Sequence, residues 1–279
     1  MADENLNDFI KGKRKKIDSS LDRFLPRQGK LAKAMRYSVF AGGKRFRPIL
    51  CLAAARALNC PELRVLPFAC AVEMVHTFTL IHDDLPAMDN SDLRRGQPTN
   101  HRVFGEGVAI LAGDALNTLA FNIISEWPGV MKILSRALFE VVAGQVSDLE
   151  SAGAKLTLSG LKKIHGWKTA ALLKACVAGV AVLSKASAEK AEKLKKYAEH
   201  LGLAFQITDD ILDATSTAAE MGKPVKADIA KGFPYLVGIE RAKKMAKRDS
   251  EKALQALAKF DSRADRLRAL AVYTIERGN

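Results

Sequence analysis

Leu80-Ile81-His82-Asp83-Asp84-Leu85-Pro86-Ala87-Met88-Asp89-Asn90-Ser91-Asp92-Leu93-Arg94-Arg95-Gly96 is the stretch on which the reading of this chain turns. An apolar segment, Ala69 to Ile81, runs into it and reads as a buried helix. Four acids and two arginines then follow within thirteen residues. Carboxylates at the end of a buried helix are costly unless cations sit among them. Oxygen-only ligands with no Cys nearby point to a hard divalent ion, most simply Mg²⁺, which commonly bridges carboxylates to phosphate oxygens. Arg94 and Arg95 would supply the forked donors that phosphates prefer. Pro86 disfavours helical dihedrals at Leu85, so the helix is predicted to end there with Asp83 and Asp84 on its last turn. The plain alternative is a helix end followed by a solvated acidic loop. Aspartates near a helix C-terminus oppose its dipole, which argues against that alternative.

A second acidic group closes another apolar helix, predicted over Ala188 to Leu212, in Phe205-Gln206-Ile207-Thr208-Asp209-Asp210-Ile211-Leu212-Asp213. Asp209 and Asp213 are offset by about 40° around a helix and share a face. They repel unless a cation lies between them. A third feature is the turn Gly42-Gly43-Lys44-Arg45-Phe46-Arg47-Pro48 before an apolar helix from Ile49 to Leu58. Glycines let backbone N–H groups approach a phosphate, and a helix N-terminus favours negative charge, so Lys44, Arg45 and Arg47 form a candidate anion site. An exposed basic turn is the alternative. His76, two turns before the first acids, is either a hydrogen-bonded core residue or a phosphate contact. Lys168, in a helix predicted from Leu158 to Leu183, is either paired within the fold or snorkels to solvent.

The remaining elements are read from periodicity. Helices are predicted over residues 5–25, from Leu31 to Gly42-Gly43, Val108 to Ser125, 130–150, Pro234 to Arg248, and Ser250 to Glu276. Pro98 to Gly107 reads as loop, Trp127-Pro128-Gly129 as a turn, and 215–233 as a basic irregular loop.

With 279 residues, 48% of them apolar, the chain can bury a sizeable core. Aromatics and Pro are sparse and Ala, Leu, Lys and Glu abound, which favours an all-α fold. No low-complexity block or long linker appears, so one domain is expected over residues 1–279. The net charge of +13 is spread along helical faces without interleaved aromatics or zinc-finger spacing, which reads as solvated surface rather than a nucleic-acid site. Cys51, Cys60, Cys70 and Cys176 form no close metal-binding pair and suit a reducing compartment. No secretory core is visible at the N-terminus, and apolar runs such as Ala170 to Leu183 are too short for a stable membrane insertion. A cytoplasmic protein is expected.

Taken together these motifs resemble the trans-isoprenyl diphosphate synthases, particularly bacterial-type farnesyl and geranylgeranyl diphosphate synthases, from about Tyr37 to the C-terminus. Asp83 to Asp89 is similar to the first aspartate-rich motif and Asp209 to Asp213 to the second. Gly42 to Pro48, Gly144-Gln145-Val146-Ser147-Asp148 and Lys168-Thr169 match further blocks. The resemblance implies a polyprenyl synthetase domain of long helices in a single bundle around a deep central cavity, usually in a homodimer. It implies three Mg²⁺ ions per site on Asp83, Asp84, Asp89 and Asp209, supported by Asp210 and Asp213. Arg94, Lys168 and Lys223 would contact an allylic diphosphate, and Lys44, Arg47, His76 and Arg95 isopentenyl diphosphate. Thr169 and Gln206 would lie beside the carbon where positive charge develops. Asp83, Asp84, Asp89, Arg94, Lys168 and Asp209 would form the catalytic set.

Phe78 and Thr79, five and four residues before Asp83, are expected to set product length. A bulky residue at the former resembles the fifteen-carbon synthases, so farnesyl diphosphate is expected, with geranylgeranyl diphosphate as the alternative. Ordinary core packing is the other reading of Phe78. Departures from the family pattern occur at Ser91, at Lys226-Ala227 and in the shortened Asp228 to Pro234 segment, which puts Lys231 in doubt. A terpene cyclase needs no second diphosphate site, and a non-catalytic partner subunit would not need both acidic clusters. The 44–47 turn and the paired clusters therefore favour the synthase.

Overall fold

The computed structural model describes residues 5–151, 156–215 and 232–276. It is a bundle of helices: α1 (Leu6–Phe24), α2 (Gly29–Phe40), α3 (Phe46–Ala57), α4 (Glu62–Asp83), α5 (Asn100–Phe104), α6 (Glu106–Ile123), α7 (Pro128–Glu150), α8 (Leu158–His165), α9 (Ala171–Leu183), α10 (Ala188–Thr215), α11 (Phe233–Val237), α12 (Ile239–Ala256) and α13 (Asp265–Glu276). The strand pair is the short antiparallel ribbon β1 (Leu93–Arg94) and β2 (Gln97–Pro98). The all-α fold expected from composition is the one observed.

The helices at the centre are those whose sequences are apolar on every side. In α3, Ile49 to Ala55 are all buried, and in α4 so are Phe68 to Val75, Glu73 included. Around them pack α1 over α3 and α4, α6 along α4, and the equally apolar α9, with α10 beyond α9. α10 lies along α12. Tyr197 is fully buried and donates its hydroxyl to the Leu267 carbonyl at 2.7 Å, which ties α10 to α13.

Three expectations are corrected. The segment from Pro98 to Gly107 is not loop, because Thr99 precedes the short helix α5. The Asn100 side chain there donates to the Ala34 carbonyl and the Ser38 hydroxyl of α2. The C-terminal helices do not divide near residue 249. α12 runs through it to Ala256, with Asp249 and Ser250 buried in its middle, and the break falls at a 3₁₀ turn over Ser262–Ala264. No proline or glycine marks position 249, whereas Asp261 caps the later turn through the Arg263 N–H. Pro128 begins α7 rather than a turn before it, which suits a residue without an N–H.

α7 also carries a solvent-facing apolar stripe. Phe139, Val142, Val146 and Leu149 repeat at three- and four-residue spacing, and Phe139 is 76% exposed.

Candidate active site

α4 stops where Pro86 predicts. Asp83 is its last residue and Asp84 its C-cap. The chain then folds back on the helix end, so that the Asp89 N–H reaches the Asp83 carbonyl at 2.8 Å and the Ser91 N–H the Asp84 carbonyl at 3.1 Å. These bonds satisfy carbonyls that a helix end leaves unpaired and bring Asp89 back beside Asp83. Arg95 and Gly96 both have positive φ and close the β1–β2 ribbon, as a two-residue hairpin requires. Tyr37 of α2 holds the ribbon through the Pro98 carbonyl at 2.7 Å.

The hairpin returns Arg94 to Asp84. The guanidinium binds both carboxylate oxygens at 2.7 to 2.9 Å, and Asp84 is buried. Asp83 sits in a less compensated position. Burial pushes its carboxyl up to about 6; Lys168 pulls it down, while Asp89 and Asp84 add to the rise.

Lys168 lies on a π-helical turn, Gly166–Ala170, between α8 and α9. The prediction of one even helix from Leu158 to Leu183 missed this widening. Gly144 of α7 makes room for it: a methyl group there would lie 2.6 Å from the Lys168 backbone nitrogen. On the same face of α7, Asp148 accepts from the Lys168 ammonium at 2.6 Å. Burial alone would lower this lysine, but Asp148, with Asp83 and Asp89, more than reverses that and holds it above its ordinary range. The snorkelling alternative is therefore set aside. Asp148 was named in the sequence only as the end of the Gly144 to Asp148 block and given no role; its spacing of four from Gly144 was the available signal.

The other side of the π turn meets α10. Thr169 donates to the Gln206 side-chain oxygen at 2.8 Å, and Gln206 donates to Asp210 at 2.8 Å. Asp210 also accepts the Phe233 N–H at 2.9 Å. Burial pushes the Asp210 carboxyl up to about 6 against these two donors. Asp209 is half-buried beside it and Asp213 is exposed. The first acidic motif thus faces Lys168, and the second joins Thr169 through Gln206. Lys223, and the departures at residues 226 to 231, lie outside the described residues.

The 42–47 turn shapes a cavity of about 480 Å³ lined by Gly42, Gly43, Lys44, Arg47, His76 and Arg95, among others. Arg47 donates to His76 Nε2 at 3.0 Å. Burial, with Arg47, Arg95 and Arg94 nearby, holds the imidazole well below its ordinary range. His76 is therefore neutral, with its proton on Nδ1. Arg45 is the exception to the predicted anion site: it turns inward, away from Lys44 and Arg47, and is 3% exposed.

Arg95 lies flat against Gly43 and donates to the Gly42 carbonyl. A methyl group at Gly43 would stand 2.5 Å from the guanidinium carbon, and its φ of +112° disfavours any side chain. Gly43→Ala is expected to displace Arg95 and weaken binding of inorganic diphosphate at this cavity about tenfold, as read by calorimetric titration.

Among the described residues no three His, Cys, Asp or Glu side chains form a ready group for an ion. The donor chemistry nevertheless fits a hard divalent cation. Every candidate ligand is a carboxylate, and Asp83 is crowded by burial and two acidic neighbours in a way that a cation would relieve.

The polyprenyl synthetase family profile matches residues 28–273. The chain belongs to that family. The farnesyl diphosphate synthase of Geobacillus stearothermophilus is 45% identical over 261 residues, covering 87% of this chain and 88% of the relative. The chloroplastic geranylgeranyl pyrophosphate synthase 11 of Arabidopsis thaliana is 44% identical over 288 residues, covering 96% and 81%. Among solved structures, an FPP/GFPP synthase from Zymomonas mobilis superposes with a TM-score of 0.85 at 35% identity, covering 97% of this chain and 99% of that one. A polyprenyl synthase from Caulobacter crescentus, complexed with calcium and isoprenyl diphosphate, gives 0.90 at 26%, covering 98% and 97%. In this polyprenyl synthetase both acid-tipped helices, the π turn and the basic cavity belong to one helical bundle.

Proposed function

We propose that this polyprenyl synthetase is a trans-prenyltransferase that joins isopentenyl diphosphate to dimethylallyl or geranyl diphosphate, releases diphosphate and makes farnesyl diphosphate. The observation that carries this reading is the separation of two phosphate-type sites. One is the acidic end of α4 with Lys168 opposite; the other is the basic cavity at 42–47. Two anionic substrates require two such places. Geranylgeranyl diphosphate is the second reading, because relatives named for that product are nearly as similar as the farnesyl diphosphate synthase.

Bound Mg²⁺, held by Asp83, Asp84, Asp89 and Asp209 with support from Asp210 and Asp213, would neutralise charge on the departing diphosphate. Calcium in the Caulobacter relative supports a divalent ion. Arg94 and Lys168 bind the same diphosphate and stabilise the charge it gains as the carbon–oxygen bond breaks. Their pairing with Asp84 and Asp148 holds both side chains in place before substrate arrives. Lys44, Arg47, neutral His76 and Arg95 hold isopentenyl diphosphate, and Lys223 joins the allylic site. The Thr169 and Gln206 oxygens face the developing allylic cation. The double bond of isopentenyl diphosphate attacks that carbon, and the released diphosphate takes the proton.

We read residues 1–279 as one domain and the active form as a homodimer, since the apolar stripe on α7 suits a second copy. The four free cysteines agree with a reducing cytoplasm. Labelled isopentenyl diphosphate incubated with dimethylallyl or geranyl diphosphate, with and without Mg²⁺, tests the reaction by product carbon number. A fifteen-carbon product abolished by EDTA is expected; turnover untouched by EDTA would remove the metal.

Phe78 packs edge-on against His82 with centroids 4.9 Å apart, and Thr79 turns its hydroxyl back to the His76 carbonyl. Phe78→Ala is expected to shift the main product from fifteen to twenty carbons. An unchanged product length would make Phe78 ordinary core.

A further inference from the structure

Arg45 is built into the protein more firmly than any neighbour in the 42–47 turn. Its backbone is left-handed, with φ at 49°, a conformation that strains a non-glycine residue. Its side chain reaches three helices. Nε donates to Asp18 of α1 at 2.8 Å, Nη1 to Glu73 of α4 at 2.9 Å, and Nη2 to the Val39 carbonyl of α2 at 2.5 Å. The side chains of Arg45 and Glu73 are 1% and 3% exposed, and that of Asp18 is 32% exposed. A buried ion pair of this kind adds little net stability over apolar packing, but it fixes geometry and fails badly when one member is lost. Here the geometry it fixes is that of the cavity. Glu73 lies one turn before His76 on α4, and Arg45 stands between Lys44 and Arg47. Both members of the pair line the cavity.

The charge balance leads to the same place. Lys44, Arg45, Arg47 and Arg95 line the cavity with Glu73 as the carboxylate among them. Glu73 and Asp18 take Arg45 out of the set that faces a ligand. The remaining three cations suit an anion of about three negative charges. A freed Arg45 would compete for that anion from the wrong position and release the turn that aims Lys44 and Arg47.

We propose that the Arg45–Glu73 pair, braced by Asp18, is a positioning device for the isopentenyl diphosphate site and leaves the allylic site untouched. This rests on the substrate assignment above. Glu73→Gln keeps shape and one acceptor oxygen but removes the countercharge. Steady-state kinetics of the full chain, varying each substrate in turn, with circular dichroism to confirm folding, form the test. The KM for isopentenyl diphosphate is expected to rise about tenfold while that for geranyl diphosphate stays within about twofold. A folded Glu73→Gln variant with both KM values unchanged, or with both raised equally, overturns the proposal. Asp18→Asn, on the exposed side of the pair, decides the matter if Glu73→Gln does not fold. It is expected to raise the isopentenyl KM about threefold alone, as weakening one of three tethers implies, and no selective change overturns the proposal. Wild-type protein that turns over neither substrate would instead refute the substrate assignment, a result separate from either variant's.

Discussion

Asp83→Asn is expected to lower kcat by about a thousandfold while raising the thermal midpoint in the absence of divalent ions. The two effects share one origin. Asp83 is a buried carboxylate beside Asp89 and Asp84, with its proton affinity raised to about 6. Its charge is therefore a burden to the folded protein unless a cation is present, and an amide of the same shape removes that burden. The amide cannot replace the carboxylate as a ligand for a hard cation or as the counterpart of Lys168. Kinetics at saturating Mg²⁺ read the first effect and scanning fluorimetry without metal reads the second. An unchanged kcat would take the α4 terminus out of the chemistry. A lowered midpoint would mean that the charge is well paired after all.

Gly144→Ala is expected to lower kcat/KM for the allylic substrate about a hundredfold and to destabilise the fold by about 1–3 kcal/mol. The added methyl group meets backbone: the Lys168 nitrogen at 2.6 Å and its Cα at 3.0 Å. Backbone inside a helix cannot swing aside as a side-chain tip can. α7 and the π turn must separate, and Lys168 and Thr169 move together away from both acidic motifs. Urea unfolding and allylic-substrate kinetics measure the two losses. Wild-type kinetics in this variant would mean that the π turn carries no part of the site.

How far the sequence disclosed these features depends on the kind of force involved. Pro86, the Gly42-Gly43 turn and the four-residue spacing of Asp209 and Asp213 act locally, and their consequences were readable from the chain alone. The central position of α3 and α4 was readable too, because helices without a polar face can only be interior. The inward turn of Arg45 was not. Its partners Asp18 and Glu73 lie 27 and 28 residues away, and nothing nearby separates this arginine from Arg47. The π turn was equally hidden, since its width is permitted by Gly144 on another helix. The misplaced break near residue 249 has a related cause: charged residues around Asp249 suggest an exposed end, whereas Asp249 is buried against His200 of α10 at 3.0 Å. Roles in the site were read through family resemblance; the residues alone indicated only cations, acids and phosphate.

The absence of a wet face on α4 has a cost when the molecule opens. Glu62–Asp83 and the stretch Leu158–Leu183 are each long and apolar enough, among the described residues, to cross a lipid bilayer, though two-thirds of an eighteen-residue apolar window in each is buried here. In a heat-loosened chain such segments carry little polar surface to keep them dispersed. They will seek one another, detergent or vesicle lipid sooner than their former places. Activity lost on warming should therefore not return on cooling, and coagulation, rather than the depth of the folding well, will limit how long a preparation survives.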